Sequence, residues 1–281
     1  QRRIVHRLQA LSTQTFVSTH SPMVAALSDS RGLTILCNEG GLLTCQTLAG
    51  AVLSAGTPNA VRKLFELNRL DTIGALMHDV VLVPEGRIDT DLIRLLVRIV
   101  DARQSWDAEQ ECRFDAHIGV VSTHDGSVVA TYDSLSKLHA KVVCLVDGDA
   151  AGAGYVTELE GKPAPPSLIF QWPPGWTIED AIGWIARADE AALVAALAQS
   201  PLQPPPPSVA DLVARMKFKG APGMKSDNVA YDSIAEALVQ VPACVARARA
   251  MLNAMTDACL SVATPVFATP AGHPRLWTLV Q

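Results

Sequence analysis

The chain has 281 residues, of which 49% are hydrophobic and 18% charged, a balance typical of a globular protein and not of a disordered one. Its formal net charge of -5 argues against a broadly basic nucleic-acid-binding surface, because phosphate contacts need Lys and Arg. Every apolar run is shorter than the ~18 residues of a spanning helix, so we expect no membrane partner. The six cysteines contain no Cys-x-x-Cys pair, which argues against a zinc ribbon or a redox dithiol and predicts a reduced, cytoplasmic protein.

The first 78 residues are predicted to contain both helices and strands. Residues 1–28 indicate a helix, a short strand and a loop that contains His20. Two apolar runs, 33–37 and 42–48, flank Asn38-Glu39-Gly40-Gly41, a sequence that predicts a hairpin turn. Residues 57–78 have helical periodicity.

The middle of the chain alternates between strand and helix patterns. Continuous β-branched runs bounded by glycine are typical of strands that are buried on both faces of a parallel sheet. We therefore predict an α/β fold with a parallel central sheet flanked by helices. Its predicted strands are 80–83, 118–122, 142–146 and 167–171, and its predicted helices are 91–104 and 132–139.

The composition changes after Trp184. Residues 188–199 are alanine-rich and helical, and the prolines of 201–207 predict a stiff linker. Residues 227–240 and 243–260 predict two more helices, so we expect an additional helical lobe. The last residues, 261–281, form a tail that could return to the sheet as a hairpin.

Acidic residues follow two of the predicted strands. Glu85 and Asp89 come after the first of them, and Asp147 and Asp149 come after the third. In open α/β sheets the ligand site lies outside the carboxyl ends of the strands, so both groups are expected at one site. Carboxylates without basic neighbours repel each other unless protons or a cation intervene. Ligation by oxygen alone favours Mg²⁺ or Mn²⁺ over zinc.

The spacing of these carboxylates supports a shared site. Asp147 and Asp149 are two residues apart and lie on the same side of an extended backbone. Glu85 and Asp89 are four apart, which is one helical turn if a helix begins after Gly86. A single Asp-x-Asp is usually an ordinary strand-end turn, but two acidic clusters in matching strand–loop–helix contexts favour a metal site.

Further acidic candidates follow the fourth predicted strand. Thr177 and Asp180 fit a helix capping box, in which Asp180 is the third helical residue. This explains Asp180 but not Glu179, so we favour Glu179 as an additional metal ligand and keep Asp180 open. Asp91 is predicted to interact with a helix dipole from the first turn. His124 and Asp125 are predicted to lie in a solvated turn.

The acidic motifs resemble those of a known domain. Glu-Gly-x-x-Asp at 85–89 and Asp-Gly-Asp-x-x-Gly at 147–152 resemble the Toprim domain of topoisomerases, primases and related nucleases, over roughly residues 76–186. The family glutamate matches Glu85, and the two strand-end aspartates match Asp147 and Asp149. Asp89 takes the place of a second acidic residue of the nuclease branch.

A second resemblance narrows the family. Phe-Val-Ser-Thr-His-Ser-Pro at 16–22 resembles the strand and switch-histidine loop that closes an ABC-type ATPase domain. An ATPase ending followed by a Toprim domain is the layout of the OLD (overcoming lysogenisation defect) nucleases. The chain lacks a Gly-x-x-x-x-Gly-Lys-Ser/Thr loop and opens on Gln1, so we expect a C-terminal part whose ATP-binding region lies upstream.

The resemblance implies a DNA nuclease with two Mg²⁺ or Mn²⁺ ions about 3.5–4 Å apart. It also implies an added lysine, for which Lys225 in a glycine-bearing loop is the first choice and Lys217 and Lys219 are rivals. A homodimer through the ATPase region remains open. The implied metal ligands are Glu85, Asp89, Asp147, Asp149 and Glu179. The implied domains are an ATPase end and connector (1–75), a Toprim domain (76–187), a helical domain (188–260) and the tail (261–281).

Two alternatives stay open. A phosphatase of the haloacid dehalogenase type also places Asp-x-Asp at a strand end, with the first Asp as nucleophile. This chain has Ala151 where that family has Thr or Val, and Glu85 would be unexplained. The other alternative is a non-catalytic regulatory module of Toprim type.

Overall fold

A computed structural model of the chain has a six-stranded sheet at its centre. It describes residues 2–28, 32–39, 41–48, 56–102, 111–124, 126–262, 264 and 266–280. The strands in chain order are β1 (Thr34–Glu39), β2 (Leu42–Thr47), β3 (Val80–Pro84), β4 (Ile118–Val120), β5 (Val142–Val146), β6 (Ile169–Gln171), β7 (Phe267–Ala268) and β8 (Leu276–Leu279).

Helices precede, separate and follow these strands. Those before β5 are α1 (Arg2–Leu11), α2 (Pro22–Ala25), α3 (Asn59–Glu66), α4 (Arg69–Ala75), α5 (Arg87–Asp101), α6 (Phe114–His117) and α7 (Val128–Leu135). Those after β5 are α8 (Ala150–Glu160), α9 (Ile178–Ala186), α10 (Glu190–Leu197), α11 (Val209–Lys217), α12 (Asn228–Val239) and α13 (Pro242–Cys259).

The central sheet is mostly parallel, and its strand order is β4-β3-β5-β6-β8-β7. The predicted strands at 80–83 and 142–146 are neighbours and parallel, with Val83 opposite Cys144. Strand β8 of the tail lies parallel to β6, and β7 pairs with β8 in antiparallel fashion. The prediction of an α/β fold with a parallel central sheet flanked by helices is confirmed. The hairpin predicted near residue 40 is also present, as the separate antiparallel pair β1–β2.

Helices cover both faces of the sheet. Val81 and Val83 belong to a core with α3, α4, α7 and α8, whereas Val80 and Leu82 face the core formed with α5, α9 and the later helices. Successive residues of one strand therefore enter opposite cores. This explains why β3 and β5 are apolar throughout instead of alternating with polar residues.

The helices after residue 187 pack onto the sheet layer. α12 and α13 contact α5, and α11 contacts α9. Leu212 and Ile234 belong to the same hydrophobic cluster as Leu82 and Leu145, so this segment shares a core with the sheet. None of the described helices alone is long and apolar enough to span a membrane. α12 and α13 meet that length and composition only as a pair, bent by 106°.

Several element boundaries differ from the predictions. α5 begins at Arg87 instead of residue 91, because Gly86 is its N-cap and Asp89 caps its first turn. Residues 57–78 form two helices, α3 and α4, and α7 begins at Val128, four residues earlier than expected. The short strand expected near Phe16 is wrong. Residues 12–21 pair with no described strand, and the Phe16 side chain is 86% exposed. A strand needs a partner for its backbone groups.

Candidate functional site

The topology creates a crevice between β3 and β5. The chain leaves β3 through α5 and reaches β4 on one side, whereas it leaves β5 through α8 and reaches β6 on the other side. α5 and α8 lie on opposite faces of the sheet. The connections therefore diverge at the carboxyl ends of β3 and β5, and open α/β sheets bind ligands at such a switch point.

The carboxyl ends of these two strands are tied together. Oε2 of Glu85 accepts a hydrogen bond of 3.0 Å from the backbone N–H of Asp147. Two further close approaches hold the segment after β5. Gly148 donates its N–H to the carbonyl of Trp176 at 2.8 Å, and a Cβ at Gly148 would lie 1.9 Å from the carbonyl oxygen of Pro173. Only glycine fits there.

Asp89 lies at the bottom of the crevice. It is the third residue of α5, and its Oδ2 accepts the backbone N–H of Gly86 at 3.0 Å. The side chain is almost fully buried. Burial, together with the charges of Glu179 and Glu85, raises the pKa of Asp89 from 3.8 to about 7. A capping role explains the position of this carboxyl group but not its proximity to two others.

Asp147 has an environment that disfavours its charged form. Burial raises its pKa from 3.8 to about 8, and the charges of Asp89, Glu85, Glu179 and Asp149 add to the effect. Its Oδ1 is buried and has no hydrogen-bond partner in the described structure. A buried carboxylate oxygen without a donor is costly, so the site favours a proton or a cation at this atom.

Glu179 and Asp180 have different environments. Glu179 is 3% exposed, and its Oε2 accepts the hydroxyl of Thr177 at 2.6 Å. Asp180 completes the predicted capping box by accepting the backbone N–H of Thr177 at 2.8 Å, and it forms an ion pair of 2.6 Å with Lys217. Glu179 lines the pocket and Asp180 does not.

Asp149 lies beside the pocket and does not line it. The residue is exposed, and its Oδ1 caps α8 by accepting the N–H of Gly152 at 2.8 Å. Asp147 and Asp149 therefore have different roles in this structure, although the charge of Asp149 contributes to the raised pKa of Asp147. The second oxygen of Asp149 makes no hydrogen bond to a described residue.

The crevice forms a pocket of about 660 Å³ that is lined by both acidic and basic side chains. The acidic cluster is defined as Glu85, Asp89, Asp147 and Glu179. The basic side chains include Lys217 at the end of α11 and Lys219 and Lys225 in the loop between α11 and α12. Four of the five predicted ligands and all three candidate lysines thus line one pocket. A site with both kinds of charge suits an anionic ligand that the lysines contact directly and the carboxylates contact through metal cations.

The lysines belong to a loop with an ordered backbone, which we call the lysine loop (residues 217–227). Met224 donates its N–H to the carbonyl of Arg215 at 2.7 Å, and Lys225 donates to the carbonyl of Phe218 at 2.9 Å. Ser226 has a φ of +66° and donates its N–H to the hydroxyl of the buried Tyr231 at 3.0 Å. These bonds fix the backbone from which Lys225 extends. Among the described residues, neither Lys225 nor Lys219 forms an ion pair.

The sequence analysis missed two contacts that support the pocket. The Thr177 hydroxyl, which donates to Glu179, was assigned only to a helix cap. Tyr231, which holds the backbone of Ser226, carried no signal because its contact depends on how α12 packs. Asp91 is not in the first turn of α5 as predicted. It lies in the second turn, lines the pocket and pairs with Arg87 at 3.7 Å.

The remaining candidates lie outside the pocket lining. His20 is exposed, and His124 has a buried Nε2 without a partner in the described structure. Asp125 lies outside the described residues.

The acidic cluster has suitable donors for a hard cation but is not arranged around one. Among the described residues, no three His, Cys, Asp or Glu side chains are placed to hold a metal ion as they stand. Glu85 and Asp89 each use one oxygen to accept a backbone N–H. Carboxylate oxygens are the ligands that Mg²⁺ and Mn²⁺ prefer, and Oδ1 of Asp147 has no partner in the described structure. Binding therefore requires side-chain rotation.

No known protein family, curated protein or solved structure matches the chain. A functional conclusion has to be drawn from the geometry and chemistry of the pocket.

Proposed function

We propose that the protein is a metal-dependent nuclease that hydrolyses phosphodiester bonds of DNA. Residues 76–187 would form a Toprim-like catalytic domain, within a larger ATPase–nuclease of the OLD type. The observation that carries the proposal is the pocket at the switch point. The pocket contains an unpartnered buried oxygen of Asp147 among three other carboxylates, in a lining that also includes three lysines.

The proposed metal ligands are Glu85, Asp89, Asp147 and Glu179 in the pocket and Asp149 at its edge. Bound divalent cations would activate a water molecule and stabilise the leaving oxygen. The raised pKa values of Asp89 and Asp147 support this assignment, because burial and mutual repulsion destabilise the charged carboxylates and a bound cation would stabilise them.

The protein's own residues have separate tasks in this proposal. Glu85 holds the ends of β3 and β5 together through the N–H of Asp147. Thr177 orients Glu179 by donating its hydroxyl proton to Oε2. Lys225 lines the same pocket as the acidic cluster and would neutralise charge that develops on the scissile phosphate. Lys217 is held by Asp180 and would contribute to phosphate binding.

A plasmid assay tests the proposal. The purified protein should nick or degrade supercoiled DNA with Mg²⁺ or Mn²⁺ and leave it intact in EDTA. The double variant Asp147→Ala with Asp149→Ala should be inactive, whereas Asp115→Asn, an exposed carboxylate elsewhere on the surface, should cut normally. Retained cutting by the double variant would refute the assignment of the site.

One observation favours a second candidate, a regulatory Toprim-type module that does not cut. The described residues contain no ready-made group of metal ligands. Titration calorimetry with Mn²⁺ separates the two functions, since a nuclease should bind the ion through Asp147 and a non-catalytic module should release no heat. A covalent phosphoaspartate trapped on Asp147 would instead favour the phosphatase alternative.

A further inference from the structure

The lysine loop exposes an aromatic ring directly beside the pocket. Phe218 follows the last residue of α11, and 69% of its surface is exposed, whereas Phe114 and Phe170 are buried in the core. An exposed phenyl ring is unfavourable in water. Its flanking residues in the chain are Lys217 and Lys219, so the exposed ring lies between two cations in the sequence.

The ring has a fixed backbone. The N–H of Phe218 donates to the carbonyl of Arg215 at 3.2 Å, and its carbonyl accepts the N–H of Lys225 at 2.9 Å. Gly223 packs so closely beneath the loop that an added Cβ would lie 2.3 Å from the carbonyl oxygen of Phe218. A backbone hydrogen bond therefore links Phe218 directly to Lys225.

Phe218 also lines a shallow groove of about 270 Å³ on the outer side of the loop. Arg215 and Lys219 line the same groove, and Lys219 lines the acidic pocket as well. The groove and the pocket therefore share Lys219 in their linings. A chain of phosphates could follow Lys219 from the groove into the pocket.

We propose that Phe218 and Lys219 form a stacking platform for an unpaired strand of DNA. Proteins that bind single strands combine aromatic side chains, on which bases stack, with basic residues that follow the backbone. A base in a duplex already stacks on its neighbours and leaves no face for Phe218. The inference rests on the proposed function for the identity of the substrate, and it narrows that substrate to single strands, overhangs or frayed ends.

Fluorescence anisotropy with labelled oligothymidylate tests the platform in EDTA, where no cutting is expected. Loss of one stacked base should weaken binding of the Phe218→Ala protein by roughly 5- to 150-fold. Phe218→Tyr should bind like the parent protein. Lys219→Ala should weaken binding and reduce the salt dependence by about 0.7, the share of one phosphate contact in single strands. The affinity of Phe218→Ala for a blunt duplex should be less than about twofold weaker than that of the parent protein.

Val229→Ala is the matched control, because Val229 is 73% exposed near the loop but lines neither cavity. Thermal unfolding of each variant checks that the fold is intact.

The platform would be overturned if Phe218→Ala and the parent protein bound oligothymidylate with equal affinity. It would also be overturned if Phe218→Ala lost as much affinity for the duplex as for oligothymidylate. Binding through Phe218 without any cutting in Mg²⁺ or Mn²⁺ would refute the nuclease and keep the platform. If the protein cuts DNA but Phe218→Ala binds oligothymidylate as well as the parent protein, the nuclease proposal is kept and the platform is refuted.

Discussion

The backbone N–H of Asp147 donates a hydrogen bond of 3.0 Å to Oε2 of Glu85. This bond joins the carboxyl ends of two parallel strands by a side chain of one and the main chain of the other. The side-chain carboxyl group of Asp147 takes no part in this bond, and its Oδ1 has no partner in the described structure. The two carboxylates are thereby held close despite their mutual repulsion, and burial together with the charges of Asp89 and Glu85 raises the pKa of Asp147.

The start of α8 is packed against the same strand end. A Cβ at Gly152 would lie 1.9 Å from the carbonyl oxygen of Asp147, whereas a Cβ at Gly154, two residues later, would meet nothing within 4 Å. We expect Gly152→Ala to lower the free energy of unfolding by about 1–3 kcal/mol, because the helix must shift away from the site. Urea unfolding followed by circular dichroism measures the change.

Gly154→Ala is the control on the same helix. It should raise the free energy of unfolding by about 0.5–1 kcal/mol, because alanine is the better helix former. A Gly152→Ala protein as stable as the parent would contradict the close packing of α8 on the end of β5.

The sequence predicted those parts of the fold that depend on local pattern. The uninterrupted apolar runs of β3 and β5 indicated buried parallel strands, and their neighbouring position is confirmed. The capping box of Thr177 and Asp180 is likewise present, because it depends on residues three apart in the chain. The predicted helix range 91–104 began four residues too late, although the start after Gly86 that the spacing of Glu85 and Asp89 suggested is present.

The site was predictable only where strand topology determines it. Glu85, Asp89 and Asp147 meet because their strands are neighbours, and all three line the pocket. The exposed position of Asp149 was not predictable, because a capping bond to Gly152 competes with the direction of an extended strand. The approach of Lys217, Lys219 and Lys225 depends on how α12 packs on α5, a long-range contact that no local pattern encodes.

The raised pKa values predict a pH-dependent stability. Asp89 and Asp147 have a pKa of about 7 and about 8 in the folded protein, against 3.8 for an ordinary aspartate. Between these limits the folded state binds more protons than the unfolded state, so the free energy of unfolding falls as the pH rises from about 4 to 8. Asp147→Asn should reduce this decline and raise Tm at pH 9 by about 2–4 °C or more, the shift produced by each kcal/mol.

Thermal unfolding between pH 6 and 9 measures this effect, with Asp115→Asn as an exposed control that should follow the parent. Added Mn²⁺ should raise Tm of the parent protein at pH 8, because a bound cation offsets the repulsion. The same addition should leave Asp147→Asn nearly unchanged. A parent protein whose Tm is constant from pH 6 to 9 without metal would contradict the charge arrangement.

Asp149 can be tested apart from its capping role. Asparagine caps helices about as well as aspartate, so Asp149→Asn should keep α8 intact and remove only the charge. If Asp149 binds a metal with its second oxygen, this variant should cut DNA at least about tenfold more slowly, as expected from the loss of a ligand. Asp189 caps α10 with a bond of 3.1 Å to the N–H of Ala192, so Asp189→Asn is the matched control and should cut normally. Equal activity of both variants would limit Asp149 to capping.

Lys225 is the lysine whose loss should affect the chemical step most. The bonds from Ser226 to Tyr231 and from Lys225 to Phe218 fix its backbone beside the acidic cluster. Loss of one preorganised charge near a developing negative charge typically costs about 10²–10³ in rate. Lys225→Ala should therefore lower kcat to that extent and leave Mn²⁺ affinity and DNA binding nearly unchanged, as measured by single-turnover cutting and calorimetry.

Lys217 and Lys219 are the internal controls for this experiment. A lysine that only contacts a phosphate contributes to binding, so its removal should weaken DNA affinity and flatten the salt dependence of a duplex by about one unit. Lys217→Ala should also remove the 2.6 Å ion pair of Asp180, which keeps its hydrogen bond from the Thr177 N–H, and slightly destabilise α9. If Lys219→Ala abolished cutting while Lys225→Ala cut normally, the charge that acts on the phosphate would come from the outer end of the lysine loop, next to Phe218. In that arrangement the reacting phosphate would lie closer to the groove than to Thr177, and the platform and the chemical step would share one lysine.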